Sequence, residues 1–188
     1  MFLPTALLVV TIRLFDVYGV PPSEFQPAMA AAAAALARAG VEPRFIDCSQ
    51  PDRPARCATT LASRELIIRI RRGPNERSAA AVLGSAILNR HTGEGAVATI
   101  YADRVEALAR VSGVAAGVVL GHAIAHELGH LLTGSSSHAR RGLMRALWTS
   151  AELRRNLPGD WRFSHDESDR IRQRSGGRVA ALMSRADN

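Results

Sequence analysis

Apolar and polar positions divide this chain into short alternating stretches near its N-terminus and one long apolar stretch past its middle. Residues 8–18 are rich in β-branched and aromatic side chains and predict a first strand, closed by Gly19-Val20-Pro21-Pro22. Ser23 then stands as a cap for a helix that runs through the alanine tract to about Ala39, with Gly40 as its stop. Pro43–Asp47 predicts a second, short strand. Glu65–Arg71 alternates and is β-branched, so it predicts a third, ended by Gly73-Pro74-Asn75. Residues 76–83 read as a helical turn, and Ser85–Leu88 and Ala96–Tyr101 as short strands. Asp103–Arg110 begins a helix broken at Ser112-Gly113.

From Ala115 to Leu132 the chain is apolar nearly all round and free of proline, which predicts a helix buried at the domain centre. His and Glu interrupt it too often for a membrane span, and no other segment is long enough to be one. Thr133-Gly134 is its stop. Ser150 caps a further short helix through Asn156, and Asp166–Arg174 reads as the last. Strand–helix–strand order of this kind predicts an α+β (mixed α/β) fold. Its mixed, twisted sheet carries a backing helix and packs against the central apolar helix. Leu108, Val119 and Leu131 are expected in the core. No repeat or linker divides the 188 residues, so one domain over 1–188 is expected, with the sheet in about 8–113 and the central helix and later helices in about 114–188.

The central helix carries His126-Glu127-Leu128-Gly129-His130. Histidines four apart share one helix face, roughly 6 Å apart along the axis, so one metal ion can bind both. Neutral imidazole suits zinc, and the adjoining carboxylate can take a proton from water at the metal. His138, on the loop after Gly134, can complete a three-histidine set. His122 lies on the same stripe but roughly 12 Å along the axis from His130, too far to share the ion, and reads as a packed core histidine. His91 and His165 lie in polar stretches and read as surface residues.

The run His126–His138 followed by Gly142-Leu143-Met144 resembles the metzincin clan of zinc metallopeptidases, whose motif is HExxHxxGxxH with a methionine turn beneath the metal. Here the glycine comes one place late and the third histidine two places late. The spacing is closer to that of a family of small bacterial proteins with HELGHLLxGxxSH, a Gly-Ile/Leu-Met-Arg-Ala segment and a nearby tryptophan, matched here by Gly142–Ala146 and Trp148. The 101–109 segment also looks like that family, and the likeness spans roughly residues 95–150. It implies a small zincin-like secreted protease with one zinc ion on His126, His130 and His138, Glu127 as general base and Met144 in the turn. Some metzincins carry a tyrosine two places after that methionine. Ala146 stands there, which leaves Tyr101 or an arginine to stabilise an oxyanion. Another class of zincin closes its site with a glutamate from a later helix, so Glu152, and further on Asp160, Asp166 and Glu167, are rivals to His138. The resemblance also implies an edge strand beside the cleft that pairs with extended substrate, either 85–88 or 96–101.

Composition adds bounds. A net charge of +7 and a pI near 11.0 would suit a polyanion, yet all 24 basic residues are arginine, scattered and with few aromatics between them. No nucleic-acid partner is expected, and a basic module with structural zinc lacks the cysteine-containing fourfold ligand set. Cys48 and Cys57 flank a short polar loop. They read as a disulfide in an oxidising compartment, as two separate thiols, or, from Pro54-Ala55-Arg56-Cys57, as a thiolate latch on the metal. Residues 1–10 are apolar but lack a basic start and a cleavage signal, which suggests a mature chain without its leader. The expectation is a secreted or periplasmic monomer, not inserted in a membrane, that hydrolyses peptide bonds in proteins or peptides. The other reading is a zinc-dependent binding or toxin-like protein that acts on one partner without general protease activity.

Overall fold

The computed structural model describes residues 8–75 and 82–174. Its strands are β1 (Leu8–Asp16), β2 (Val41–Asp47), β3 (Glu65–Arg71), β4 (Gly84–Ile87) and β5 (Val97–Tyr101). Its helices are α1 (Pro22–Arg38), α2 (Ala102–Ser112), α3 (Ala116–Thr133), α4 (Ser150–Arg155) and α5 (165–174). The strands form one sheet in the order β2-β1-β3-β5-β4, parallel except for β4, which runs antiparallel to β5. The expected α+β architecture is present. The period of two decides which side chains meet the helices: Val10, Ile12 and Leu14 of β1 and Leu66, Ile68 and Ile70 of β3 are buried, with Ala98 and Ile100 of β5 beside them.

Every residue of α3 from Val119 to Thr133 is buried, which agrees with its all-round apolar pattern. Alanine-rich α1 lies close against it. A Cβ at Gly117 or Gly121 would strike the backbone oxygen of Glu24 or Ala28, so the two helices meet through small residues. The first turn of α3 has no side-chain cap of its own. The Glu24 carboxylate accepts instead from Gly117 N–H, and an anion at a helix N-terminus also complements the helix dipole. At the other end Gly134 takes φ +64°, the left-handed turn that frees the chain to double back toward the helix.

Several boundaries differ from the sequence reading. Ser23 does not cap α1. The helix starts at Pro22, whose missing N–H costs nothing in the first turn. Thr149, not Ser150, caps α4 through a capping box with Glu152, while Ser150 Oγ meets Ser112 Oγ at 2.9 Å. The 96–101 segment is not an edge: β5 is paired on both sides, and β4 is the free strand on that flank. Of the helical turn read at 76–83, residues 76–81 lie outside the described residues and 82–83 are not helical. Cys48 and Cys57 are bonded, their Cα atoms 5.6 Å apart, which overturns both the separate thiols and the thiolate latch. No described helix is long and apolar enough to cross a membrane.

Candidate metal centre

α3 supplies His126 and His130, and the chain leaving Gly134 folds back to bring His138 beside them. Their candidate ligand atoms all lie within 4.8 Å of one another. The outer ring nitrogens fix the tautomers. His126 Nδ1 is 2.9 Å from Leu143 O and His130 Nδ1 is 2.7 Å from Ser135 O. A carbonyl only accepts, so both Nδ1 atoms carry the hydrogen and both Nε2 atoms present lone pairs. Those two Nε2 atoms face each other at 3.0 Å. Two lone pairs at that distance repel unless a cation or a proton lies with them. Burial disfavours the proton: it pushes the His126 pKa down to about 4 and lowers that of His130. Three clustered imidazoles, two of them oriented by carbonyls, fit a zinc-type cation.

Glu127 is 6% exposed, and its Oε2 is buried without a hydrogen-bond partner. Burial alone pushes its carboxyl up to about 8. The first residue of β4 lies directly over it. A Cβ at Gly84 would come within 2.8 Å of Glu127 Oε1 and 2.7 Å of Thr99 O, so only glycine fits between edge strand and carboxylate. Met144 packs under the helix on the other side, where a Cβ at Gly129 would lie 2.6 Å from its sulfur. Ala139 N–H donates to Met144 O at 2.8 Å and closes the 139–144 turn that carries both His138 and the methionine toward α3.

Glu152, the rival ligand, is engaged elsewhere. It is ion-paired with Arg145 and accepts from Thr149 N–H and Oγ1 at 2.9 and 2.8 Å. Asp160 pairs with Arg155, and Glu167 caps α5 by accepting from Ser164 N–H at 2.7 Å. Asp166 lines a polar recess on the far side of His138, together with Glu167. Tyr101 meets Ser85 Oγ at 3.3 Å and is not among the residues lining the cavity at the histidines. Arg145 does line it, with its Nη2 buried and unpartnered. His91 and His165 are exposed, as expected. His122 is the packed histidine the helical spacing required. Its ring stacks on Trp161 at 3.9 Å, it meets Asn156 Oδ1 at 3.3 Å, and burial pushes its pKa down to about 4.

Trp148 stands 5.8 Å from the His126 ring and 5.3 Å from Trp161, so the packed histidine and the cluster share a wall of indoles. The sequence reading missed the partnership of Trp148 with Trp161, as well as Gly84 and Phe163, whose ring lies with Met144 against Gly129. The tryptophans were visible as rare residues near the motif, but their pairing crosses the loop after α4. Leu108, expected in the core, instead lines the cavity and is only half-buried. Val119 and Leu131 are core residues.

No family model matches the chain, nor does any curated protein sequence. Solved structures do. A zinc-dependent peptidase from Methanocorpusculum labreanum (strain Z) superposes with a TM-score of 0.55 at 18% identity, over 85% of this chain and 99% of that one. Metalloproteinase-II from Bacteroides fragilis superposes with a TM-score of 0.53 at 14% identity, over 90% of this chain but 55% of the other. The domain is therefore zincin-like in fold. At such identities the likeness reaches the fold and no further.

Proposed function

We propose that this chain is a zinc metallopeptidase acting as an endopeptidase on protein or peptide substrates. The observation that carries this reading is the pair of carbonyl-oriented imidazoles whose Nε2 lone pairs face each other beside an unpartnered buried carboxylate. His126, His130 and His138 would hold one zinc ion, with Met144 in the turn beneath it. Bound there, zinc supplies Lewis acidity that brings the ionisation of water near neutral pH and polarises a carbonyl.

Glu127 does the proton work. A cation beside it would draw its pKa below about 8 and leave a carboxylate. That carboxylate accepts a proton from the attacking water and returns it to the departing amine. Gly84 leaves room for Glu127 under the edge strand, and β4 is the strand free to pair with extended substrate. The Cys48–Cys57 bond supports a secreted or periplasmic location, and one catalytic domain over 1–188 working as a monomer completes the reading.

The test is cleavage of casein and quenched peptides by zinc-loaded protein, with and without a chelator. Chelator-sensitive turnover, restored by added zinc, is expected. Zinc-loaded protein that cleaves none of these substrates would favour the alternative, a zinc-dependent binding or toxin-like protein confined to one partner.

A further inference from the structure

Among the described residues, six large apolar side chains are well exposed, and three of them, Val82, Val111 and Leu147, line one cavity. That cavity has a volume of about 510 Å³ and reaches His126, Glu127 and His130. Its remaining wall is largely apolar. Ala107 and Leu108 come from α2, and Trp148 from the loop after the methionine turn. Exposed apolar surface gathered at the mouth of a cavity, and not scattered, marks a site for an apolar ligand.

Most polar groups in the wall are engaged already or belong to the proposed metal centre. The Arg104 guanidinium donates to Val82 O and Pro74 O, both at 2.9 Å, and lies 4.7 Å over the Tyr101 ring. Arg145 is ion-paired with Glu152 through Nη1, which leaves its Nη2 as the one unpartnered cationic donor in the described lining, and the Glu peptide in the test below measures its pull. Among the described residues Glu127 is the only carboxylate in the lining, and the proposed reaction uses it.

Resting on the peptidase reading, we propose that this cavity selects substrate by taking a bulky apolar side chain, of the size of leucine, methionine or phenylalanine, from a residue adjoining the bond that is cut. Ala107 and Val111, four apart on one face of α2, set its width. Both are exposed, so substitution there leaves the core intact.

The test uses quenched peptides that differ only at the position adjoining the cut: Phe, Leu, Ala, Lys or Glu, with the cut located by mass spectrometry. kcat/KM for Phe and Leu is expected to exceed that for Ala by roughly tenfold or more, with Lys and Glu lower still. Ala107→Trp should lower the Phe value by roughly tenfold and leave the Ala value within about threefold. A second readout needs no turnover: Kd for the same peptides with Glu127→Gln protein, followed by tryptophan fluorescence, should rise in the order Phe, Leu, Ala. Equal rates across the series, a preference for Lys or Glu, or an Ala107→Trp loss that falls equally on all peptides would overturn the proposal. If no peptide is cleaved, the peptidase reading fails separately, and the binding order still decides the cavity: tighter Phe and Leu support it, and no order overturns it.

Discussion

Replacing Glu127 by glutamine should lower peptide turnover by roughly 10²–10⁴-fold, the range for loss of a positioned general base, while zinc content stays unchanged. The amide keeps the shape of the carboxylate beneath Gly84 but cannot accept the proton from water. The loss should fall on kcat, because Glu127 is not among the clustered candidate ligands and the proposed ion would not depend on it. Parallel assays of turnover and metal content on one preparation check this. A variant that cleaves at the wild-type rate would remove Glu127 from the chemistry. One that loses its zinc would make the residue a ligand instead.

The same variant should also be more stable than the parent when both are metal-free. Burial holds the Glu127 carboxyl up at about 8 against an ordinary 4.5. The folded protein thus keeps a proton that the unfolded chain releases. The associated stability is full below pH 4.5 and is lost as pH rises toward 8. At pH 7 the loss amounts to about 3 kcal/mol, at 1.36 kcal/mol per pH unit. Histidines work in the opposite sense. His122 and His126 are pushed down to about 4 from 6.5, so their contribution is lost as pH falls from 6.5 toward 4. From these groups, metal-free protein should be most stable near pH 6.5. Glu127→Gln should abolish the decline above pH 6.5, steepen the rise between pH 4.5 and 6.5, and leave the region below pH 4.5 alone. Denaturation in chelator at pH 4.5 and pH 7 checks this: a gain of about 3 kcal/mol, or roughly 6–12 °C in Tm, is expected at pH 7 and almost none at pH 4.5. An equal gain at both would mean that the carboxyl is not the source. Such a cost at neutral pH fits a group kept for chemistry and not for stability.

The parts of the fold that sequence reasoning reached are those decided by nearby residues. α3 was legible because an apolar, proline-free stretch ending in Thr133-Gly134 has few alternatives, and the spacing of His126 and His130 is then set by helix geometry. The alternation in Glu65–Arg71 was equally local. The error at Ser150 was avoidable, since a capping box needs an acid three residues on and Thr149 has Glu152 where Ser150 has Leu153. The rest turns on distant contacts. Glu24 caps a helix that begins 92 residues later, and the choice of β4 over β5 as the edge depends on which strand β3 selects. His138 was nameable from the resemblance, but its approach to α3 rests on the Ala139–Met144 turn. Leu108 looked like core because apolar periodicity does not distinguish a buried face from one that lines a cavity.

The central claim is that three imidazoles grip a single cation, and zinc titration of chelator-stripped protein measures this directly. One zinc per chain is expected. Binding should be weakened by more than about a hundredfold in His126→Ala, His130→Ala and His138→Ala, and left intact in Glu127→Gln and Glu152→Gln. Protein that takes up no zinc, or that keeps it in His138→Ala and loses it in Glu152→Gln, would contradict the proposed centre.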